Sequence, residues 1–292
     1  MKNIIILFLT AIIWGLAFVA QKAGMKYIGP FAFNGMRFIL GTLSLLPLLV
    51  FQKQLFGTSV RDTDLSFTLK GGIVLGVFLF IAAAFQQVGV VESTAGNAGF
   101  ITSLYIILVP FISIFIRHKI SPEEWIGALL AAIGLYFLSI NQQFKMSPGD
   151  GLVLISAFFW ASHILLIGYY APKTNILLLS IIQFSIGALL NLFVAFWVEE
   201  INFSMITDAL YPILYGGIMS IGIAYTLQAV GQRNIAPSKA AIILSFESIF
   251  ALLGGWLLLN ESITFRKTIG ATIMLTGLII SQIKITSLKN RS

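Results

Sequence analysis

Long unbroken apolar runs decide what this chain can fold into. Ile4–Ala20, Gly71–Phe85, Ile101–Ile116 and Ile176–Val198 each proceed without a single charged side chain. Runs of that length belong in lipid, where no water is present to satisfy the backbone, so only helices or a closed barrel can span. Barrel strands alternate apolar and polar residues. These runs are continuous, so the expected class is an all-α membrane protein.

Composition leads the same way. Of 292 residues, 58% are hydrophobic and 10% charged, against about 25% charged in a soluble domain, and the mean hydropathy is +0.96. There are too few charges to cover a water-facing surface. The absence of cysteine excludes disulfides, thiolate metal sites and thiol nucleophiles. Two histidines and eleven carboxylates are a thin supply for catalysis. No Gly-x-x-x-x-Gly-Lys-Ser/Thr loop is present, which excludes ATP hydrolysis by that motif, and no His/Cys/acid spacing suits a metal. The chain is expected not to be an enzyme and to need no cofactor. Its net charge of +7 could suggest a nucleic-acid partner, but the basic residues sit in short loops, where membrane orientation accounts for them.

Ten stretches approach the roughly 17–25 residues of a spanning helix: near 3–20, 31–51, 70–90, 95–116, 124–140, 151–170, 175–198, 211–231, 237–259 and 265–284. Met1-Lys2-Asn3 before Ile4–Ile13 has the look of a signal peptide. No small-x-small cleavage site follows, so this is read as the first span. Breaks fall at Gly29-Pro30, Ser121-Pro122, Ser147-Pro148-Gly149, Ala171-Pro172 and Ala236-Pro237, since proline disfavours helix in the residue before it. With the N-terminus inside, the inner side holds Lys2, Lys53, Arg61, Lys70, Arg117, Lys119, Lys173, Arg233, Lys239, Lys284, Lys289 and Arg291. The outer side holds Lys22, Lys26, Lys145, Arg266 and Lys267, and Arg37 lies within the second span. This excess places both termini in the cytoplasm of an inner-membrane protein.

The chain also repeats itself. A shift of 143 residues lays Ile120, Gly127 and Gly134 on Ile263, Gly270 and Gly277, and Thr102 on Ser245. A shift of 142 lays Gln86, Val88 and Gly89 on Gln228, Val230 and Gly231, and one of 146 lays Trp14 on Trp160 and Arg37 on Gln183. The halves are 1–141 and 142–292, with five spans each. An odd number of spans turns the second copy upside down, and inverted repeats typify transporters that expose one midplane site to each side in turn.

Five segments carry a family resemblance. Leu227-Gln-Ala-Val-Gly-Gln-Arg-Asn-Ile-Ala-Pro-Ser-Lys-Ala-Ala, Leu244-Ser-Phe-Glu-Ser-Ile-Phe-Ala and Gly255-Trp-Leu-Leu-Leu-Asn-Glu closely resemble the C-terminal EamA repeat of the drug/metabolite transporter superfamily. Gln87-Val-Gly-Val-Val-Glu-Ser-Thr-Ala-Gly-Asn-Ala-Gly-Phe and Pro30–Arg37 resemble the N-terminal repeat. The resemblance covers essentially the whole chain. It implies a ten-helix exporter-like fold, both termini cytoplasmic, with a central cavity, in a family that moves amino acids, other metabolites or drugs. One departure is Arg117-His118-Lys119, where the family's fourth helix ends in Asn-Glu or Gly-Glu. The first span lacks the carboxylate of the small multidrug pumps, so their proton-antiport mechanism is not carried over.

Several residues are candidates for the site. Glu247, near the middle of the ninth span, is costly there, by at least about 2.5–3.5 kcal/mol. It is either a proton-coupling or substrate-amine site, or a neutral structural carboxyl bonded between helices; Ala240, Ala251 and Gly254 on its face suit close helix packing. Arg37 must snorkel or pair, by reaching the outer interface or by binding a substrate carboxylate. Trp14 and Trp160 lie deep in their spans, away from the usual interfacial belts, and could form aromatic walls for an apolar or cationic substrate. His163 lies one turn beyond Trp160 on the same face, as a cavity or a packing residue. Gln86, Gln228, Tyr225, Phe85, Asn97 and Tyr105 are expected to line the same space.

The sequence therefore reads as a secondary transporter, an exporter of amino acids or related metabolites working by alternating access. Its partners are a small-molecule substrate and the lipid bilayer, and it is expected to act as a monomer. Two other readings remain open: an intramembrane enzyme on a lipid-soluble substrate, using His163 with Glu247, or a nonselective metabolite channel, which would need a continuous polar stripe.

Overall fold

The computed structural model describes residues 2–52, 54, 63–115, 121–139 and 147–282, and every regular element among them is helical. Helix α1 runs Lys2–Gly24, and α2 (Pro30–Leu45) continues as a 3-10 turn over Leu46–Phe51. Then come α3 (Leu65–Glu92), α4 (Ala95–Thr102), α5 (Tyr105–Phe115) and α6 (Pro122–Ser139). In the second half lie α7 (Pro148–Tyr170), α8 (Ile176–Val198), the short α9 (Phe203–Asp208) and α10 (Leu210–Leu214). A π-helical stretch, Tyr215–Tyr225, leads into α11 (Thr226–Gln232), followed by α12 (Pro237–Leu244), α13 (Glu247–Leu259) and α14 (Phe265–Gln282).

 Continuous hydrogen bonding carries the chain from α10 through the π-helical stretch into α11, so these three form one rod, and α13 ends at Leu259.

Four of the five proline-marked breaks become helix starts, whereas Pro172 sits in a 3-10 turn, Ala171–Lys173, at the end of α7. Pro30, Pro122, Pro148 and Pro237 each open a helix, where the missing N–H is one the helix could not have bonded anyway. Ser147 caps α7 through a reciprocal pair, its hydroxyl accepting from the Asp150 amide while Asp150 accepts from the Ser147 amide. Among the described residues, eight helical rods are long and apolar enough to cross a membrane. The fifth and tenth expected spans are the helices α6 and α14, which pack along each other. The Arg117-His118-Lys119 departure lies outside the described residues, as do Lys53, Arg61, Lys145, Lys284, Lys289 and Arg291.

Two expected spans are broken. The run over 95–116 divides into α4 and α5, and that over 237–259 into α12 and α13. At each break the backbone tightens to three-residue bonds: Leu104 to Ile101 and Ile106 to Ser103 in one, Phe246 to Ile243 and Ser248 to Ser245 in the other. The breaks touch, since the Ser103 hydroxyl donates to the Ser245 carbonyl at 3.2 Å.

Contacts between the halves come in matched pairs. A side-chain carbon on Gly134 would meet the Gly270 carbonyl, and one on Gly277 would meet the Gly127 carbonyl. Gly76 on α3 fits against Ile186 and the Gln183 carbonyl of α8, while Gly217 fits against Leu40 and the Arg37 carbonyl of α2. Such approaches need residues without side chains, because helices in lipid associate largely by close packing. The largest core cluster surrounds these crossings and draws Phe38, Leu79 and Tyr105 from the first half and Trp160, Phe184 and Tyr225 from the second.

Candidate functional site

Where the two broken rods meet, the α5 and α13 starts place Tyr105 and Glu247 beside a small internal cavity of about 30 Å³. Its wall includes Trp14, Arg37, Gln86, Tyr105, Trp160, His163, Tyr225, Gln228 and Glu247. Nine of the eleven residues singled out in the sequence thus share one space. Phe85 and Asn97 do not line it. Phe85 stacks instead on Phe159, with rings 10° from parallel. Asn97 sits in the first turn of α4, where its backbone N–H donates to the capping Thr94 hydroxyl.

The aromatic groups form the wall. Trp14 and Trp160 both pack on Tyr225, with ring centroids 4.6 and 6.0 Å away. His163 meets Trp160 and Tyr225 edge-on, and its Nε2 lies 3.0 Å from Gln183 Oε1. That bond ties His163 to α8 rather than to Glu247. The position corresponding to His163 in the first half is Ala17, and the position corresponding to Gln183 is Arg37. The second half therefore places a bonded His163–Gln183 pair there, and the first half places Arg37 beside a small Ala17.

Arg37 does not snorkel to an interface. It is 2% exposed, with its guanidinium over the Phe33 and Phe38 rings at 5.7 and 5.5 Å. Glu247 is 3% exposed. The Tyr105 hydroxyl lies next to its carboxyl, yet neither Tyr105 Oη nor Glu247 Oε1 has a hydrogen-bond partner. Tyr225 lines the same cavity as Arg37 and Glu247. The small residues noted beside Glu247 do pack: Gly254 takes Val19 and Leu16 of α1, and Ala251 fills the space over Gly99.

The cavity is unusual for how many polar atoms around it are unmet. Arg37 Nε, Thr102 Oγ1, Tyr105 Oη, His163 Nδ1, both polar atoms of Gln228 and Glu247 Oε1 are all buried without a partner. A buried group left unbonded costs about 1–3 kcal/mol. Its volume has room for about two waters, whereas pockets for small organic ligands run to about 300–1,000 Å³. In this conformation the site is shut around its own polar groups.

Sequence reasoning missed Gln21, Thr102 and Ser220, which also line the cavity. Gln21 could have been found, because it follows Trp14 by seven residues and so shares its helix face. The repeat pairs Thr102 with Ser245, but the sequence carries no local signal of the break beside each.

On the side where α2 and α4 begin, carboxylates close the structure. Glu199, just past α8, accepts from the Phe31 and Ala32 amides at 2.8 Å each. Glu261, just past α13, accepts from the Ala95 and Gly96 amides at 2.9 and 3.2 Å. In both cases a second-half carboxylate caps a first-half helix start, where the aligned amides favour an anion. At the opposite ends, Asn175 donates to Gln52 at 3.1 Å, and a wider opening of about 640 Å³ is lined by Lys2, Glu124, Asn234 and Lys239.

With this geometry established, known proteins bear on it. The profile of the EamA-like transporter family matches residues 1–140 and again 147–282. A protein of Archaeoglobus fulgidus named "Uncharacterized transporter" is 33% identical over 95% of this chain and 84% of its own. A Salmonella typhimurium protein named "Probable amino-acid metabolite efflux pump" is 24% identical, over 94% of this chain and 92% of its own. A solved crystal structure with 16% identity has the same fold, with a TM-score of 0.77 over 99% of each chain.

Proposed function

Because the chain belongs to the EamA-like transporter family, we propose that it is a secondary transporter exporting amino acids or related metabolites across the inner membrane by alternating access. The observation that carries this reading is the shut cavity at the crossing of α4–α5 and α12–α13. It holds one cationic and one acidic side chain, Arg37 and Glu247, on separate helices and flanked by aromatic rings. Interrupted helices crossing at one site are how many secondary transporters build a midplane binding site.

The reading includes ten spans in two inverted repeats, 1–141 and 142–292, with both termini cytoplasmic and the single chain as the working unit. The matched contacts of Gly134 with Gly270 and of Gly277 with Gly127 support it, since exchanging the halves converts one into the other. In the cycle, the helices separate on one side, substrate displaces water, and the halves rock to open the other side. Arg37 takes a carboxylate and Glu247 an ammonium group, while Trp14, Trp160 and Tyr225 enclose the apolar part. No bond of the substrate is made or broken.

Counterflow in proteoliposomes tests this. Vesicles loaded with one unlabelled amino acid should concentrate the same labelled amino acid transiently, for at least some members of the standard set. Absence of counterflow across the whole set, from protein that is folded and inserted, would overturn the amino-acid reading.

A further inference from the structure

The two halves differ by one residue at a position that controls the cavity. Gly76 and Gly217 make equivalent packing contacts, against Ile186 with the Gln183 carbonyl and against Leu40 with the Arg37 carbonyl. Those two sets of contacted residues differ by 146 in number, the same shift that relates Trp14 to Trp160. Further along, Gly89 meets Val153 and Gly231 meets Leu7, again 146 apart. Between these anchors the numbering slips: Gly76 to Gly217 is a shift of 141, and Gly89 to Gly231 one of 142. The second half therefore holds one extra residue between the equivalent packing points.

The extra residue coincides with the π-helical stretch Tyr215–Tyr225. A π turn bonds each residue to the one five ahead rather than four, which lets a helix take in an inserted residue without breaking its ladder. α3 runs through the corresponding region as α-helix.

The insertion has a consequence at the cavity. In the second half Trp160 donates its indole N–H to Gln86 at 2.8 Å. The corresponding pair is Trp14 and Gln228, and it does not form. Trp14 donates instead to the Ser220 carbonyl, within the π stretch, at 3.3 Å. Gln228 is 1% exposed, and neither its Oε1 nor its Nε2 has a partner, although it faces the cavity.

We propose that the one-residue insertion makes Gln228 a specificity-determining residue: it gives Trp14 a backbone acceptor and leaves the Gln228 amide to bond substrate, while Gln86 remains committed to Trp160. The amide offers a donor and an acceptor together, which suits a ligand presenting both, as the ammonium and carboxylate of an amino acid do. This rests on the transport reading above and adds that recognition is unequal between the halves.

The test compares Gln228→Leu with Gln86→Leu in purified protein, by melting temperature in detergent, and follows counterflow of labelled L-phenylalanine, L-leucine and L-threonine for Gln228→Leu. Gln228→Leu removes two unmet polar atoms, so its melting temperature should hold or rise, while KM rises by about tenfold or more for the transported probe. Gln86→Leu strands the Trp160 N–H, so its melting temperature should fall. Deleting Ile218, an exposed residue of the π stretch, should restore α-helical bonding and Trp14–Gln228 pairing, and so reproduce the KM rise. A Gln228→Leu protein that melts as low as Gln86→Leu, or that keeps KM within about twofold of wild type, overturns the proposal. If wild type moves none of the probes but the melting temperatures still split, the amino-acid reading falls and the unequal roles of the two glutamines stand.

Discussion

Trp160 donates a 2.8 Å hydrogen bond to Gln86 from within the core, while the half-buried Trp14, its repeat counterpart, reaches a backbone carbonyl of another helix. The same residue type at corresponding positions thus has two jobs. Trp160→Phe should keep the wall but strand Gln86 Oε1, at about 1–3 kcal/mol of stability. Trp160→Ala should cost about 3–5 kcal/mol, as expected for emptying a packed indole site. Trp14→Phe should lose less stability and act mainly on KM. Chemical denaturation in mixed micelles, set beside counterflow, separates the two effects; equal stability losses for the two Phe variants would contradict the division.

The repeat made much of this site legible in advance. Pairing Trp14 with Trp160, Gln86 with Gln228 and Arg37 with Gln183 selected residues that the fold brings to one cavity or to its edge, because equivalent points of a duplicated fold converge on the axis between the copies. What the sequence did not reveal is physical in origin. The breaks after Thr102 and at Ser245 carry no proline or glycine, so nothing local announces them; they arise where two rods cross and share the Ser103–Ser245 bond. Phe85 sits beside Gln86, but neighbouring residues on a helix point about 100° apart, so it faces Phe159 instead. The inserted residue in the eighth span is invisible to hydropathy and emerges only from which glycine packs against which side chain.

The capping of α4 by Glu261 predicts a latch. Both of its bonds cross between the halves, so separating the halves at that end must break them. Glu261→Ala should cost about 1 kcal/mol, as loss of a helix cap does, and should favour conformations open on that side. With no native cysteine in the chain, a Thr102→Cys probe on the cavity wall reports this directly. A membrane-impermeant thiol reagent added from the outside should modify the probe faster in Glu261→Ala than in the parent. An unchanged rate would mean that the cap is structural alone.

Topology follows from the orientation argument and can be tested with the same reagents. Single cysteines at Lys173 and Asn234 should be protected in intact cells and react only after permeabilisation, while those at Phe203 and Asn260 should react from outside. Reaction of the Lys173 probe in intact cells would remove the inverted arrangement, and with it the assignment of the Glu261 latch to the outer face.

Glu247 carries the most consequential prediction. It starts α13 at the cavity wall, with Oε1 unbonded and no basic side chain in ion-pair contact among the described residues. Its Oε1 is left without a partner even though the Tyr105 hydroxyl lies beside the carboxyl. The carboxyl lines the cavity, and on the transport reading proposed above proton and substrate ammonium would compete for its free oxygen, coupling export to proton entry. Glu247→Gln keeps the shape and a hydrogen-bonding amide but can neither ionise nor release a proton. The expected result is a folded protein in which an imposed pH gradient no longer drives substrate accumulation, while exchange down a substrate gradient continues with KM raised by about tenfold or more, as for losing a charge-assisted contact. Glu247→Leu should retain neither coupling nor tight binding. If the Gln variant keeps both its gradient-driven accumulation and its KM, the carboxyl is a structural group and the coupling site lies elsewhere.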